Sequence, residues 1–313
     1  MRPKITVVGA GNVGGTTALF LALSGQADVV LLDIIDGLAA GKALDLAQAL
    51  PVLGIAADVA GTTEWSEAEG SDVVIVTSGV ARKPGMSRDD LLAANVAIVA
   101  SVSERVRDRC PEAVLIVVSN PLDAMAQLAY EVTRFDRPRV LGMAGVLDTA
   151  RFRCFVGEEA GVPGADVAAM VLGSHGDLMV PLPAHTSIGG IPASELLDAP
   201  TLGRLVERTA QGGAEIVSLL GTGSAYVAPA ASAAAMAQAI VQDSGRVLPC
   251  SVLLTGEFGI DGVFVGVPAR LGAEGLTEVL EIALADEELG ALRRSAEAVR
   301  VLVDRMHDLR TGA

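Results

Sequence analysis

Short β-branched apolar runs alternate with longer helical patterns through the first half of the chain. "KITVVG" leads into the helical pattern of "NVGGTTALFLALSG", and "DVVLLD" into that of "GLAAGKALDLAQAL"; "SDVVIVTSG" and "AVLIVVSN" add further strands. Strands that are apolar at nearly every position, rather than at every second one, are buried on both faces, as in a parallel sheet covered by helices. Right-handed crossovers wind such strands into an open, doubly wound α/β sheet. Past about Asp148 the texture changes. "ADVAAMVLGSHGD", "LMVPLPAHTSIGGIP" and "RVLPCSVLLTG" read as shorter strands punctuated by Pro and Gly. "TLGRLVERTAQGGAEIVSLL" and "ADEELGALRRSAEAVRVLVDRMHDLR" read as long amphipathic helices, so this half is expected to be α+β. No linker rich in Ser and Pro intervenes, and the chain is expected to divide into closely packed domains over residues 1–145 and 146–313. "APAASAAAMAQAI" suits a buried helix better than a disordered segment.

Composition narrows the setting. With 51% hydrophobic and 19% charged residues over 313 positions, there is material for one large core or two smaller ones. The first residues run straight into a strand without the apolar region and cleavage site of a signal peptide. No apolar run approaches the roughly 18 to 20 residues that span a bilayer. These features predict a soluble, cytoplasmic protein with no membrane partner. Cys110, Cys154 and Cys250 lie too far apart for a metal motif or a disulfide framework. A net charge of −15 with no basic stripe argues against nucleic acid. The same charge repels small anions, so an anionic substrate would need local cations.

"VVGAGNVGG" sets Gly9, Gly11 and Gly14 in the GxGxxG pattern, directly after the first strand and at the start of the first helix. Gly9 permits the tight turn, Gly11 lets a pyrophosphate approach the backbone, and Gly14 lets helix and strand pack closely. The helix N-terminus offers the phosphates free N–H groups and a favourable dipole. Asp33, 19 residues beyond Gly14 at the tip of the second strand, can bind both hydroxyls of an adenosine ribose. Strand, turn, helix, strand and acid in register predict a Rossmann-type dinucleotide-binding domain. The Asp33 carboxylate would repel a 2′-phosphate, so the expected cofactor is NAD rather than NADP.

Three other places can carry chemistry. "ARKPGMSRDDLL" gathers Arg82, Lys83 and Arg88 within seven residues around a Pro-Gly break. The ordinary explanation is a solvated loop, and the alternative is a lid bringing cations to an anion. Of three histidines, His307 falls on a helix and is expected on its solvated face, and His185 reads as a structural loop residue. His175, in "VLGSHGDLMVP", sits between a strand and a turn, where an imidazole can be structural or can face a cleft. "GVLDTARFR" puts Asp148 and Arg151 on one face of a helix's first turn, usually a surface ion pair. Beside an imidazole, the acid can hold one tautomer and the arginine can grip a carboxylate. Asn120, in "VVSNPLD", falls just beyond a strand's C-terminal end, where it can form an Asx turn, bond a ligand, or both.

Together "GAGNVG", "ARKPGMSRDDLL", "VSNPLD", "LDTARFR" and "GSHGDLMVPL" resemble the successive signatures of the lactate/malate dehydrogenase family, specifically its bacterial malate dehydrogenases of the lactate-dehydrogenase-like type. The resemblance extends over essentially the whole chain. It implies a homodimer or homotetramer that transfers hydride between NAD and a dicarboxylate, interconverting malate and oxaloacetate. It further implies that His175 donates and accepts the proton, paired with Asp148, that Arg151 binds the C1 carboxylate, that Arg88 polarises the C2 oxygen, and that Arg82 binds the second carboxylate. Asn120 would contact the C2 oxygen and the nicotinamide end, and Ser224 would line the substrate pocket. Asn12, Val13, Thr77, Gly79, Asn95 and Val118 would join Gly9, Gly11, Gly14, Asp33 and Asn120 around the cofactor. Gly221 departs from the pattern, standing where relatives often have Lys. A lactate dehydrogenase is the nearest alternative, disfavoured because a methyl pocket gains nothing from the Arg82 guanidinium. A non-catalytic NAD sensor would have no reason to keep His175, Asp148 and three anion-binding arginines together.

Overall fold

The structure, a computed structural model, describes residues 2–80 and 88–311, without the side chains of residues 88 and 89. Its first half comprises β1 (Lys4–Val8), α1 (Asn12–Ser24), β2 (Asp28–Leu32), α2 (Leu38–Val52), β3 (Val59–Thr62), β4 (Val73–Val76), α3 (Arg88–Arg109), β5 (Val114–Val117), α4 (Leu122–Thr133) and β6 (Val140–Gly142). The second half continues with α5 (Gly145–Ala160), β7 (Val167–Ala168), β8 (Val171–Gly173), β9 (Met179–Pro181), β10 (Ser187–Ile188), β11 (Ile191–Pro192), α6 (Ala193–Leu196) and α7 (Ala199–Leu220). It closes with α8 (Val227–Val241), β12 (Arg246–Thr255), β13 (Asp261–Gly272), β14 (Gly275–Val279) and α9 (Asp286–Thr311).

Strands of the first half pair in parallel in the order β3-β2-β1-β4-β5-β6. This is the doubly wound order in which the chain reverses direction between β1 and β4, leaving a crevice beyond the strands' C-terminal ends. The continuous apolar runs have their expected cause, since all four residues of β4 and of β5 are buried. In the α+β half only β11-β10-β7 form a separate, three-stranded sheet; the other strands extend the first one. The antiparallel strand β12 joins β6 through the pair Ser251–Gly142, and the order continues through β13, β8 and β9 in one 11-stranded mixed sheet. Sequence patterning cannot specify that junction, because it joins residues more than a hundred positions apart.

Helix α1 packs against both α2 and α8, and α3, α4 and α9 pack against one another, so each half of the chain contributes cover to the sheet. The alanine-rich stretch is buried helix α8, as its composition suggests. Helix α7 begins where Asp198 accepts the Thr201 N–H at 2.8 Å, with Pro200 in its first turn. A second, smaller core under α5 and α7 gathers Phe152, Val156, Val171, Met179, Leu202 and Leu205. His307 is not simply solvated: its Nε2 lies 3.0 Å from the Glu131 carboxylate, tying α9 to α4.

Candidate active site

The glycine turn after β1 shows why each position is glycine. Gly9 has a left-handed φ of +103°, and a Cβ there would stand 2.9 Å from Ser78 N. A Cβ on Gly14 would lie 1.7 Å from the Gly9 carbonyl oxygen, so α1 can approach β1 only without a side chain. At Gly11 nothing lies within 4 Å of the same position, and the residue is exposed. Gly11 caps α1 without a side-chain hydrogen bond, and no acid occupies the first turn. The first N–H groups of the helix, from Asn12 and Val13 onward, therefore form a positive end with no counter-charge of their own.

Asp33 lies beside this turn. Its Oδ2 accepts the Ala10 N–H at 2.6 Å and its Oδ1 accepts the Ile35 N–H at 3.0 Å. From the neighbouring strand end, Thr77 Oγ1 donates to the carbonyls of Val8 (3.1 Å) and Gly9 (3.0 Å). Asn95, almost wholly buried on α3, accepts the Val80 N–H (2.8 Å) and donates to the Asn120 carbonyl (2.6 Å). Gly79 packs against the Asn95 side chain, and the Val118 N–H continues the sheet to Val76 at 2.9 Å. These residues converge on the C-terminal ends of β1, β2, β4 and β5. An open glycine backbone at an uncapped helix end, with a carboxylate beside it, fits a dinucleotide's pyrophosphate and ribose. Sequence reading missed Lys42, whose Nζ donates to the Gly11 carbonyl at 3.0 Å and braces the turn from α2. Its signal was its rarity, as one of only three lysines.

The other end of the crevice is built on the first turn of α5. Asp148 is buried there, and its two oxygens serve different partners: Oδ2 stands 2.9 Å from His175 Nδ1, and Oδ1 accepts from Arg151 Nη1 at 3.2 Å. Because a carboxylate only accepts, Nδ1 carries the hydrogen and Nε2 is left without a protein partner among the described residues. The turn bearing His175 is fixed on its main chain as well. Ser174 N–H donates to Ser295 Oγ on α9 (2.7 Å), and His175 N–H donates to Asp123 Oδ2 on α4 (3.0 Å). Burial is the largest influence on the His175 imidazole and lowers its pKa. The charge and hydrogen bond of Asp148, with a smaller contribution from Asp123, outweigh burial and Arg151 and hold it above the ordinary histidine value.

Arg151 lies against the paired glycines of α7. A Cβ on Gly212 would meet its Cδ at 3.2 Å, and one on Gly213 its Nη2 at 3.4 Å. Glycine inside a helix costs about 1 kcal/mol relative to alanine, so a consecutive pair in α7 marks a place where something must fit. Arg151 Nε is buried with no hydrogen-bond partner among the described residues, a donor left over for an anion. Asn120 is exposed at the end of β5, preceding a cis peptide bond to Pro121. Ser224 is exposed in the connection between α7 and α8, and Gly221 is the left-handed C-cap of α7 at φ +70°. Arg82 and the Pro-Gly break lie outside the described residues; Arg88 opens α3, and its side chain is outside them too. The structure thus brings His175, Asp148 and Arg151 together, along with Asp123, Ser251 and Ser295, to which sequence reading assigned no role.

Residues 3–142 match the family model for the lactate/malate dehydrogenase NAD-binding domain, and residues 145–308 that for the α/β C-terminal domain. The malate dehydrogenase of Thermomicrobium roseum is 55% identical over 309 residues, spanning 99% of this chain and 100% of that protein. Among solved structures, the malate dehydrogenase of Cryptosporidium parvum superposes with a TM-score of 0.96 at 44% identity, over 98% of this chain and 100% of that one. The lactate dehydrogenase of the same organism, crystallised with lactic acid and nicotinamide adenine dinucleotide, gives 0.95 at 38% identity, over 98% and 99%. The chain belongs to the lactate/malate dehydrogenase family.

Proposed function

We propose that this chain is an NAD-dependent malate dehydrogenase, interconverting (S)-malate and oxaloacetate. The observation that carries the reading is the division of Asp148 between His175 and Arg151, one oxygen to each. It orients a proton carrier and a carboxylate binder side by side. Backbone likeness to malate and lactate dehydrogenases is nearly equal, so shape does not choose between their substrates. The names of relatives such as the 55% identical protein, and a guanidinium at position 82, favour the dicarboxylate.

NAD, when bound, supplies the group that accepts hydride from C2 of malate and returns it to oxaloacetate. The chain's own residues do the rest. His175 Nε2 takes the proton of the C2 hydroxyl, while Asp148 holds the ring in one tautomer and stabilises the imidazolium. In the reverse direction the imidazolium returns that proton to the developing alkoxide. Arg151 grips the C1 carboxylate with donors that its Asp148 bond leaves over. Following the family pattern, Arg88 polarises the C2 oxygen, Arg82 meets the distal carboxylate, and Asn120 and Ser224 complete the pocket. Residues 1–145 hold the cofactor, with Asp33 at the adenosine ribose, and residues 146–313 supply the substrate chemistry. Purified protein given NAD and (S)-malate should generate NADH absorbance, and (S)-lactate should generate little; absence of turnover with malate contradicts the reading.

No helix among the described residues is long and apolar enough to cross a membrane. The exposed free thiol of Cys154 suits a reducing compartment, and we place the protein in the cytoplasm. The buried Cys110 thiol is held by desolvation at about 11, too high for reactivity. Exposed Leu44, Val52 and Leu53 around α2, with Leu219 and Leu220 at the end of α7, favour a homodimer or homotetramer. Light scattering that gives a monomer mass would contradict that.

A further inference from the structure

One carboxylate serves two cations at the centre of the site. Asp148, 2% exposed, meets His175 through Oδ2 and Arg151 through Oδ1. When His175 is protonated, these three groups together carry one positive charge more than negative, inside a desolvated space. An uncompensated buried charge is expensive, so until a substrate carboxylate meets Arg151, a second acid of the chain itself lowers that cost.

Asp123 meets that requirement. It stands at the start of α4, 4% exposed in an otherwise apolar buried turn, and both its oxygens are engaged. Oδ2 accepts the backbone N–H of His175 at 3.0 Å, and Oδ1 accepts the Ser251 hydroxyl of β12 at 2.6 Å. Burial, the largest influence, together with the nearby Asp148 charge holds the Asp123 carboxyl above the ordinary carboxylate value, against the pull of its two hydrogen bonds and of the imidazole's charge. Among the described residues, the charged groups acting on His175 are Asp148 and Arg151 from α5 and Asp123 from α4, whereas α9 and β12 contribute the neutral Ser295 and Ser251. A protonated His175 draws Asp123 toward its ionised form, and among the described residues two acids then balance Arg151 and the imidazolium.

We propose that Asp123 is a positioning residue for His175, held by Ser251, which anchors the backbone of the histidine's turn and supplies the second negative charge for its protonated ring. The inference rests on the reading of His175 as the proton carrier. It explains why an acid interrupts the apolar start of α4, and why a serine of the second half reaches across the sheet to meet it.

The test is proton NMR titration of the histidine rings in full-length protein, wild type and Asp123→Asn. With only three histidines, His185 and His307 serve as internal controls. The His175 midpoint should move to lower pH in the variant while the other two stay in place. An unmoved His175 midpoint overturns the proposal, and so does a common shift of all three, which signals general disruption. Should Asp123→Asn fail to fold, Ser251→Ala decides by the same criterion: it removes the donor that keeps Asp123 ionised and should shift His175 in the same direction. Failure of the proton-carrier reading is distinguishable, because His175→Gln would then keep its turnover whatever the titration gave.

Discussion

His175 Nδ1 and Asp148 Oδ2 lie 2.9 Å apart, and the oxygen belongs to a side chain that water barely reaches. That bond fixes which ring nitrogen faces the crevice, so chemistry should fail when the ring is replaced by an amide of similar size. His175→Gln should reduce turnover at least about 10²-fold, since positioned proton transfer contributes roughly 10²–10⁴. NADH affinity, measured by fluorescence, should be nearly unchanged. Wild-type turnover in the variant would make His175 a structural residue.

The same pairing sets the pH dependence. The imidazole is held above its ordinary value because its charged form gains more from the two acids than it loses to burial and Arg151. Malate oxidation needs the neutral ring, so its kcat/KM should rise with pH through a midpoint above the unperturbed value of about 6.5. Oxaloacetate reduction needs the protonated ring and should fall through the same region. Paired pH profiles check this, and a malate limb below the ordinary histidine range would contradict it.

Two glycines of the turn should separate folding from binding. Gly14→Ala forces a Cβ to 1.7 Å from the Gly9 carbonyl oxygen, so α1 must leave β1 and the melting temperature should fall. Gly11→Ala meets no atom within 4 Å and should leave melting unchanged while weakening NADH binding. Equal effects of both substitutions on stability would remove the basis for a pyrophosphate site at Gly11.

Asp33 should enforce the choice of NADH over NADPH, because a 2′-phosphate would meet its carboxylate. Asp33→Asn keeps the side chain's shape and removes the repulsion, which typically costs several kcal/mol. The ratio of efficiencies, NADH over NADPH, should narrow at least about tenfold in kinetic assays. A wild type with no preference would contradict the assignment.

The parallel strands and the long helices were legible because local patterns suffice for them. β4 and β5 are apolar throughout, and α7 and α9 carry the helical period over their whole lengths. The glycine turn was legible because close packing leaves no substitute at Gly9 and Gly14. What escaped lies in contacts between distant positions. The junction of β12 with β6 rests on a single pair, Ser251 with Gly142, and no local rule foresees it. Asp123 was visible as an acid before an apolar run, which reads as a favourable charge in a helix's first turn. Only folding brings it to Ser251 and to the His175 backbone. Gly212 and Gly213 were likewise visible, but the Arg151 side chain they accommodate comes from another helix.

The central claim, a dicarboxylate substrate, is tested most directly by the ratio of kcat/KM for oxaloacetate to that for pyruvate, in wild type and in Arg82→Gln. Pyruvate carries a methyl group where oxaloacetate carries its second carboxylate, so the two differ at the group assigned to Arg82. Wild type should strongly favour oxaloacetate. Loss of one partner of a desolvated charge pair costs about 2–5 kcal/mol, so the ratio should fall at least about 10²-fold in the variant. Wild-type protein that turns over pyruvate as efficiently as oxaloacetate would contradict the account.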